Sequence, residues 1–367
     1  MTTPYDSVLL TGATGLVGHN TLPRLLAADP GLHVFILTRD RASWLARAAT
    51  AAIPNGRVTP LEGDLTDSGL GLGRPVRRAL RNRVHTVVHA AADTVFSRPL
   101  DEARSVNTTG TAHLLELAAG WPGMRRFVQV STAFVAGRLR GRVTERDNGA
   151  EAGFVNGYEQ SKYEAEALVR GGPVPWVVVR PSVIVCDGAD GRVTQFNAVH
   201  RALRLYHSGL ASMMPGDESS PVDVVSVDYV ADCVARLAAA PNVEGATFHA
   251  CAGAAALGLG HLLDHAYAIW CESQEWRRRG IPRPALTDLA TYRLFERSVE
   301  DTGDARLRAI TQSLSHFVPQ LALPKHFDTT ATDDLMGHPA PDPSGFWPRM
   351  IRFLLDSRWA ADARRAA

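Results

Sequence analysis

The chain has 367 residues, of which 45% are hydrophobic and 21% charged, and its formal net charge is +1 at pH 7. This is the composition of an ordinary globular protein, and it excludes disordered, collagen-like and coiled-coil chains. The near-neutral charge provides no field that would attract nucleic acid or an anionic membrane surface. The length suits one large domain, or a core domain with a smaller lobe.

The four cysteines, at positions 186, 233, 251 and 271, show no C-x-x-C spacing, and no signal peptide precedes them. A disulfide framework or a zinc site is therefore not expected, and a reducing compartment is. No apolar run approaches the roughly 20 residues that a membrane span requires. His200 and His207 lack nearby carboxylates, so they indicate no metal site. We expect a cytoplasmic protein with neither a metal nor a membrane segment.

Short β-branched runs alternate with amphipathic stretches through the first half of the chain. The runs predict strands at Ser7–Thr11, His33–Thr38, Val58–Leu61, Val84–His89, Phe127–Thr132 and Trp176–Arg180. The stretches predict helices at Val17–Ala28, Arg41–Ala51, Pro75–Arg81, Leu100–Ala119 and Gly157–Arg170. This alternation is typical of an α/β fold of the Rossmann type. It predicts a doubly wound parallel sheet with the active-site loops at the carboxyl ends of its strands.

After Arg180 the pattern becomes less regular. A helix is expected at Phe196–Ser208, and the stretch from 222 to 240 returns to a strand followed by a helix, with a further strand at Thr247–Cys251. Beyond residue 255 the chain is mainly helical and is divided by prolines. We therefore predict a nucleotide-binding core at 1–186, an insertion at 187–223, a return to the core at 224–254, and a smaller, mainly helical substrate lobe at 255–367.

A glycine-rich loop follows the first predicted strand and opens the first helix. In it, Gly12 permits the tight turn, Gly15 lets the backbone approach a pyrophosphate, and Gly18 lets the helix pack close to the sheet. The helix N-terminus then faces the anion. The pattern is specific because it stands inside a βαβ unit. The predicted dinucleotide contacts in this loop are Gly12, Thr14, Gly15, Leu16, Val17 and Gly18.

The end of the second strand indicates which dinucleotide is bound. An NAD enzyme usually has an acidic residue there for the ribose 2′-hydroxyl, but this chain has Thr38 followed by Arg39. A guanidinium suits a 2′-phosphate, which predicts NADPH. Asp40 is the alternative, because a strand ending two residues later would restore the acid. Asp64 and Leu65, after the third strand, are expected near the adenine.

Tyr158 and Lys162 lie four residues apart and share one face of a predicted helix. A nearby ammonium lowers the pKa of a phenol and can hold a ribose, so this tyrosine can exchange a proton near neutral pH. Only two lysines, Lys162 and Lys325, occur in the chain, which makes the spacing specific. Thr132, chosen over Ser131, ends the fifth strand and can hydrogen-bond a reacting carbonyl oxygen. Asn107 is a candidate for ordering a water or a backbone carbonyl near Lys162.

The motifs TGATGLVG, GDLTD, HAAA at 89–92, STAFVAG at 131–137, YEQSK and RPSVIV occur in the order found in extended short-chain dehydrogenase/reductases, which the chain resembles over about residues 7–250. Within that family, VQVSTAFVAG, NGYEQSKYEAEALV, GRVTQFN and PVDVVSVDYVAD are most similar to the thioester reductase and fatty acyl-CoA reductase (male-sterility-type) branch. The resemblance implies NADPH-dependent reduction of an acyl thioester to an aldehyde, sometimes onward to an alcohol, with Thr132, Tyr158 and Lys162 as the triad. Its further cofactor contacts are Ala90, Ala91, Ala92, Ser131, Arg180, Pro181, Ser182 and Val183.

Such reductases are often part of larger synthetases, whereas this chain shows no carrier or adenylation domain. We therefore expect it to meet an acyl-carrier protein or a coenzyme A thioester in trans. The elongated, partly apolar cleft for that thioester is expected where 187–223 and 255–335 cover the carboxyl ends of the strands.

Two other readings stay open. One is a sugar-nucleotide epimerase or dehydratase, or a hydroxy/keto dehydrogenase, and Arg192, Arg201 and Arg204 could bind the diphosphate of such a substrate. The other is a non-enzymatic, NADP-binding redox sensor.

Overall fold

The computed structural model describes residues 7–50, 56–301, 303, 305–357 and 359. Its strands are β1 (Ser7–Thr11), β2 (His33–Thr38), β3 (Val58–Glu62), β4 (Val84–His89), β5 (Arg126–Val130), β6 (Gly141–Val143), β7 (Trp176–Pro181), β8 (Val183–Cys186), β9 (Met213–Pro215), β10 (Pro221–Val222), β11 (Val224–Ser226), β12 (Ala246–Ala250), β13 (Leu257–Gly258), β14 (Ala285–Thr287) and β15 (Lys325–Phe327).

The α-helices are α1 (Leu16–Ala28), α2 (Arg41–Thr50), α3 (Arg74–Arg83), α4 (Leu100–Arg104), α5 (Gly110–Ala119), α6 (Gly157–Gly171), α7 (Ala198–Ser208), α8 (Val227–Ala239), α9 (Leu259–Trp270), α10 (Gln274–Arg278), α11 (Leu289–Asp301), α12 (Ala305–Ser315), α13 (Val318–Leu321), α14 (Thr330–Met336) and α15 (Pro343–Asp356). Short 3-10 turns lie at Ser68–Gly71, Ala133–Ala136 and Gly253–Ala255.

Over the described residues, seven parallel strands form the central sheet in the order β3-β2-β1-β4-β5-β7-β12. Alternate residues of β1 enter different cores: Val8 and Leu10 pack in a cluster with α1 and α8, whereas Leu9 packs in one with α3 and α5. A sheet buried on both faces explains why its strands are continuous apolar runs. The predicted Rossmann-type α/β fold is confirmed.

Two predicted elements are interrupted. The helix predicted over Leu100–Ala119 contains a π-helical segment at Ser105–Thr109. The apolar run after Trp176 divides at Ser182, because β7 stays in the central sheet while β8 leaves it to pair with β11. The N–H of Ser182 accordingly bonds the carbonyl oxygen of Ala250. Residue 51, predicted to end the second helix, lies outside the described residues.

The chain after β8 builds a second apolar core, in which α7, α9 and α15 contribute Leu203, Leu263 and Met350. This lobe is tied to the Rossmann layer by the pairing of β15 with β6 and by α14, which packs against α8 and β12. The domain boundaries drawn from the sequence remain a prediction. Among the described residues, no helix has the length and apolar character to cross a membrane.

Candidate active site

The turn between β1 and α1 brings backbone segments into direct contact. Gly12 has a φ of +73°, and a Cβ atom on it would lie 2.5 Å from the backbone nitrogen of Ala91. A Cβ atom on Gly18 would lie 2.3 Å from the carbonyl oxygen of Gly12. Both positions therefore require glycine, because the first turn of α1 packs on the loop itself.

The open end of α1 fits the pyrophosphate of a dinucleotide. A Cβ atom on Gly15 would meet only the carbonyl oxygen of Gly12, at 3.3 Å, and both Thr14 and Gly15 are exposed. Among the described residues, no side chain caps this N-terminus, and its first turn holds no acidic group. The N–H groups at Leu16 and Val17 and the positive end of the helix dipole are therefore available to an anion.

The end of β2 presents Arg39 to solvent, beside the loop that follows β3. Asp40 is used otherwise: its carboxylate accepts a hydrogen bond of 2.8 Å from the N–H of Ser43 in the first turn of α2. The Asp64 carboxylate accepts bonds from the backbone and hydroxyl of Thr66, and these bonds, with the charge of Arg39, lower its pKa. Arg39 and Asp64 are thus neighbours at the predicted adenosine end, where Leu65 is buried.

The loop after β4 carries Ala90, Ala91 and Ala92, all half-buried, directly against the glycine turn. The N–H of Ala91 donates to the hydroxyl of Thr11, 3.2 Å away, at the end of β1. His89 links Thr11 to Thr111 of α5 through its two ring nitrogens. Burial, aided by the charge of Lys162, lowers the pKa of His89 to about 3, so its ring is neutral and serves as a structural link.

Tyr158 and Thr132 come together at the carboxyl ends of the strands. Asn156 caps α6 by accepting the N–H of Glu159, which fixes the first turn that carries Tyr158. Thr132 begins the 3-10 turn after β5, and its hydroxyl accepts the N–H of Phe134 at 3.2 Å. Burial raises the pKa of Tyr158 to about 12, although its hydrogen bond with Thr132 acts to lower it. Both side chains are buried, as a proton donor to a bound carbonyl must be.

Lys162 lies one turn further along α6, and its ammonium donates to the carbonyl oxygen of Val130 over 2.8 Å. Burial lowers the pKa of Lys162 to about 8, against the charge of Glu166. The predicted lowering of the Tyr158 pKa is not seen in the structure, because burial is the largest cause of the shift and raises the pKa. The ammonium of Lys162 is held by the end of β5, and Tyr158 stays protonated at neutral pH.

Asn107 lies in the π-helical segment and acts on the backbone. Its side-chain oxygen accepts the N–H of Asp93 at 2.8 Å, and its amide donates to the carbonyl oxygen of Asp93 and to the hydroxyl of Ser161, each at 2.9 Å. It therefore binds the loop after β4 to α6, one residue before Lys162. Asn107 was predicted to order either a water or a backbone carbonyl. The structure shows its contact with a backbone carbonyl, that of Asp93.

Several groups of segment 180–183, which is predicted to contact the cofactor, bond other groups of the protein. The guanidinium of Arg180 makes two hydrogen bonds, of 2.8 and 2.9 Å, with the carboxylate of Glu166, and both side chains are 2% exposed. The N–H groups of Ser182 and Val183 donate to the carbonyl oxygens of Ala250 and Asp223. The side chain of Arg180 therefore supports α6 through Glu166. Its contact with the cofactor remains a prediction.

Sequence reasoning missed several groups that surround Tyr158. The ring of Phe96 packs on Tyr158 with centroids 5.3 Å apart, and Phe317 of the C-terminal lobe packs on Phe96. Glu159, next to the tyrosine, bonds Gln320, and Gln320 bonds Lys325. One signal was present in the sequence: Lys325 is the second of two lysines in a chain whose other cations are arginines.

An open pocket adjoins this site. Its walls come from the loop after Thr132, from β8, from β10 and the residue after it, and from the lobe. They comprise Phe134, Val183, Pro221, Val222, Asp223, Phe317, Gln320, Leu321, Leu323, Lys325 and Phe327. Most of these residues are apolar, with three polar side chains among them. The pocket lies where the two parts of the fold meet.

The model of the male sterility protein family, an NAD-binding domain, matches residues 10–234, which contain the glycine loop, Thr132, Tyr158 and Lys162. The chain belongs to this family. This match confirms the resemblance found in the motifs. It also supports a nicotinamide dinucleotide as the cofactor.

Known proteins extend the likeness beyond the family model. Fatty acyl-CoA reductase 1 of Gallus gallus is 25% identical over 270 residues, covering 61% of this chain and 52% of the relative. The terminal R domain from the myxalamid PKS-NRPS biosynthetic pathway has a TM-score of 0.79 at 21% identity, covering 98% of this chain and 92% of that one.

UDP-glucuronic acid 4-epimerase of Bacillus cereus has a TM-score of 0.66 at 16% identity, covering 96% of this chain and 99% of that one. At such identities the structural likenesses concern the fold alone. The chain spans about half the length of two fatty acyl-CoA reductases that it matches, about a quarter of a third one, and a smaller share still of some of the synthetases.

Proposed function

We propose that this chain reduces an acyl thioester to an aldehyde with NADPH. The observation that carries the proposal is the pairing of a protonated Tyr158 with Thr132 beside a largely apolar pocket. The relatives named as fatty acyl-CoA reductases support the thioester as the substrate class.

Tyr158 and Thr132 would hold the thioester carbonyl oxygen with two hydroxyl groups. Negative charge develops on that oxygen as the carbonyl is reduced, and hydrogen bonds that strengthen with this charge lower the barrier. A phenol with a pKa of about 12 is a donor across the neutral range. The proton passes to the oxygen, and collapse of the resulting hemithioacetal breaks the carbon–sulfur bond and releases aldehyde and thiol.

The cofactor, when bound, supplies a hydride to the carbonyl carbon. The exposed backbone of Thr14 and Gly15 would bind its pyrophosphate at the N-terminus of α1. Lys162 would bind the ribose near Tyr158 by donating a second N–H of its ammonium to a ribose hydroxyl while the first bonds Val130. Asn107 would orient α6 by bonding this helix to the loop after β4.

The preference for NADPH rests on Arg39. One oxygen of the Asp40 carboxylate is already bonded at the start of α2, whereas the exposed guanidinium of Arg39 can meet a 2′-phosphate. A charge-assisted bond of this kind contributes about 1.5–3 kcal/mol, or roughly a 10- to 150-fold preference. Dissociation constants for NADPH and NADH, measured for the native protein and Arg39→Ala, test this assignment. Equal affinities in the native protein would contradict it.

The sugar-nucleotide alternative needs cations that converge on a diphosphate. Arg192 instead pairs with Asp190, and Arg201 and Arg204 are exposed on α7. None of the three belongs to the described walls of the pocket beside Thr132. This arrangement favours the thioester, carried on coenzyme A or on an acyl-carrier protein.

The deciding experiment incubates the purified protein with NADPH and separate acyl-CoA, acyl-carrier, ketone and UDP-sugar substrates. Mass analysis of the products is expected to show the aldehyde, or the alcohol after a second reduction, and one free thiol per acyl group. Tyr158→Phe serves as the control for the site. Turnover confined to a ketone or a UDP-sugar would refute the proposal, and binding of NADPH without any turnover would favour a redox sensor.

A further inference from the structure

A buried network joins the catalytic helix to the C-terminal lobe. The carboxylate of Glu159 accepts bonds from the N–H of Val155 at 2.9 Å and from the side-chain amide of Gln320 at 2.6 Å. The oxygen of that amide accepts a bond of 2.7 Å from the ammonium of Lys325, which also donates to the carbonyl oxygen of Leu323. The three side chains are at most 9% exposed.

The network places a carboxyl group and an amine in the interior without direct contact between them, and burial raises the pKa of Glu159 to about 7 and lowers that of Lys325 to about 8. Gln320 stands between Glu159 and Lys325 and uses its donor toward the carboxylate and its acceptor toward the ammonium. The other charges facing them are Arg138, which acts on Glu159, and Arg140, which acts on Lys325. A buried charge is costly unless it is compensated, so each end of the network depends on the amide in the middle.

The network reaches Tyr158 through one turn of backbone. Glu159 follows Tyr158 directly, and its N–H is bonded by the capping oxygen of Asn156. The side-chain amide of Asn156 in turn donates to the carbonyl oxygen of His316 at 3.1 Å. Segment 316–325 therefore bonds the first turn of α6 at two places, at the capping residue Asn156 and at Glu159.

The same segment also meets the ring of Tyr158 and the pocket. Phe317 packs on Phe96, which packs on the phenol ring. Gln320 and Lys325 line the pocket beside Thr132. The lobe thus fixes the position of the phenol in two ways, by bonding the backbone turn that carries Tyr158 and by packing, through Phe96, on its ring. It also forms one wall of the pocket proposed for the substrate.

We propose that Glu159, Gln320 and Lys325 are positioning residues, through which the C-terminal lobe holds Tyr158 in register with the thioester carbonyl. The inference rests on the proposed reductase function. The described contacts of the network lie within the protein and along the pocket wall, away from the glycine turn that is proposed to bind the cofactor. Its loss is therefore expected to lower kcat and to leave the KM for NADPH nearly unchanged.

The test reverses the order of amide and carboxylate. Gln320→Glu places a second carboxyl group next to that of Glu159 and removes the amide donor between them. This variant is expected to lower kcat by about tenfold or more. The double variant Glu159→Gln/Gln320→Glu restores the pattern, because Gln at 159 can donate to Glu at 320, and Glu at 320 can accept from Lys325. It should return kcat to within about threefold of the native protein. Gln312→Glu, the same change at an exposed position of α12, should have no effect.

Two results would overturn the proposal: full kcat in Gln320→Glu, or a double variant no better than the single one although it is folded. If Gln320→Glu does not fold, Gln320→Met cuts both hydrogen bonds without adding charge, and full kcat in that variant refutes the proposal equally. Hydrogen exchange of residues 155–162 gives a readout that needs no turnover, and it should accelerate in the single variants only. A native protein without reductase activity would defeat the proposed function, whereas unchanged exchange would defeat the link between lobe and helix.

Discussion

Alanine at Gly15 and alanine at Gly18 should separate cofactor binding from stability. At Gly15, where φ is −83°, an added Cβ approaches only the carbonyl oxygen of Gly12, so the stability should change by less than about 1 kcal/mol. The methyl group does, however, occupy the space where the backbone meets a phosphate. The loss of one charge-assisted bond, about 1.5–3 kcal/mol, weakens NADPH binding roughly 10- to 150-fold. At Gly18 the Cβ would lie 2.3 Å from that oxygen, and the forced backbone shift should cost about 1–3 kcal/mol of stability.

Urea denaturation without cofactor, combined with NADPH titration followed by fluorescence, measures both quantities. Gly15→Ala is expected to keep its denaturation midpoint and lose affinity, whereas Gly18→Ala loses stability first. The reasoning is refuted if Gly15→Ala binds NADPH as the native protein does, or if it loses as much stability as Gly18→Ala.

Three further outcomes follow from the site. Tyr158→Phe should lower kcat by about 10²–10⁴-fold with the dissociation constant of NADPH within a few-fold of native, since the proton donor alone is removed; full turnover would place the donor elsewhere. Lys162 has a pKa of about 8, and the anionic cofactor favours its charged form, so NADPH affinity should fall as pH rises from 7 to 9.5, and Lys162→Met should flatten this dependence. Glu166→Gln leaves the buried Arg180 without its counter-charge and should cost about 3–5 kcal/mol in urea denaturation, whereas Glu272→Gln, in an exposed pair with Arg352, should leave the midpoint unchanged.

Short sequence patterns were sufficient to predict the elements whose residues lie close together in the chain. The glycine loop, the Rossmann strands and the spacing of Tyr158 and Lys162 depend on residues close together in the chain, and short-range periodicity reports them directly. The family match covers the part of the chain in which these motifs lie. The roles of the individual residues remain predictions that the experiments above address.

Electrostatic environment could not be predicted in the same way. Spacing places Lys162 near Tyr158, but it does not show that burial raises the pKa of the phenol to about 12. The side chain of Arg180 was similarly ambiguous: its motif indicates a cofactor contact, whereas its partner Glu166 is recognisable only once α6 is packed on β7.

By itself the sequence determined the parallel sheet, the dinucleotide loop and the helix that carries Tyr158 and Lys162, because each is encoded by a pattern within a few turns or one strand. Only the tertiary structure decided that residues 316–325 contact Glu159 and Phe96. The same residues contribute to the wall of the pocket. Gln320 and Glu159 are 161 residues apart, and no local periodicity connects them. Their contact arises from the packing of the lobe on the core, where burial leaves each charge only the partner that the fold supplies.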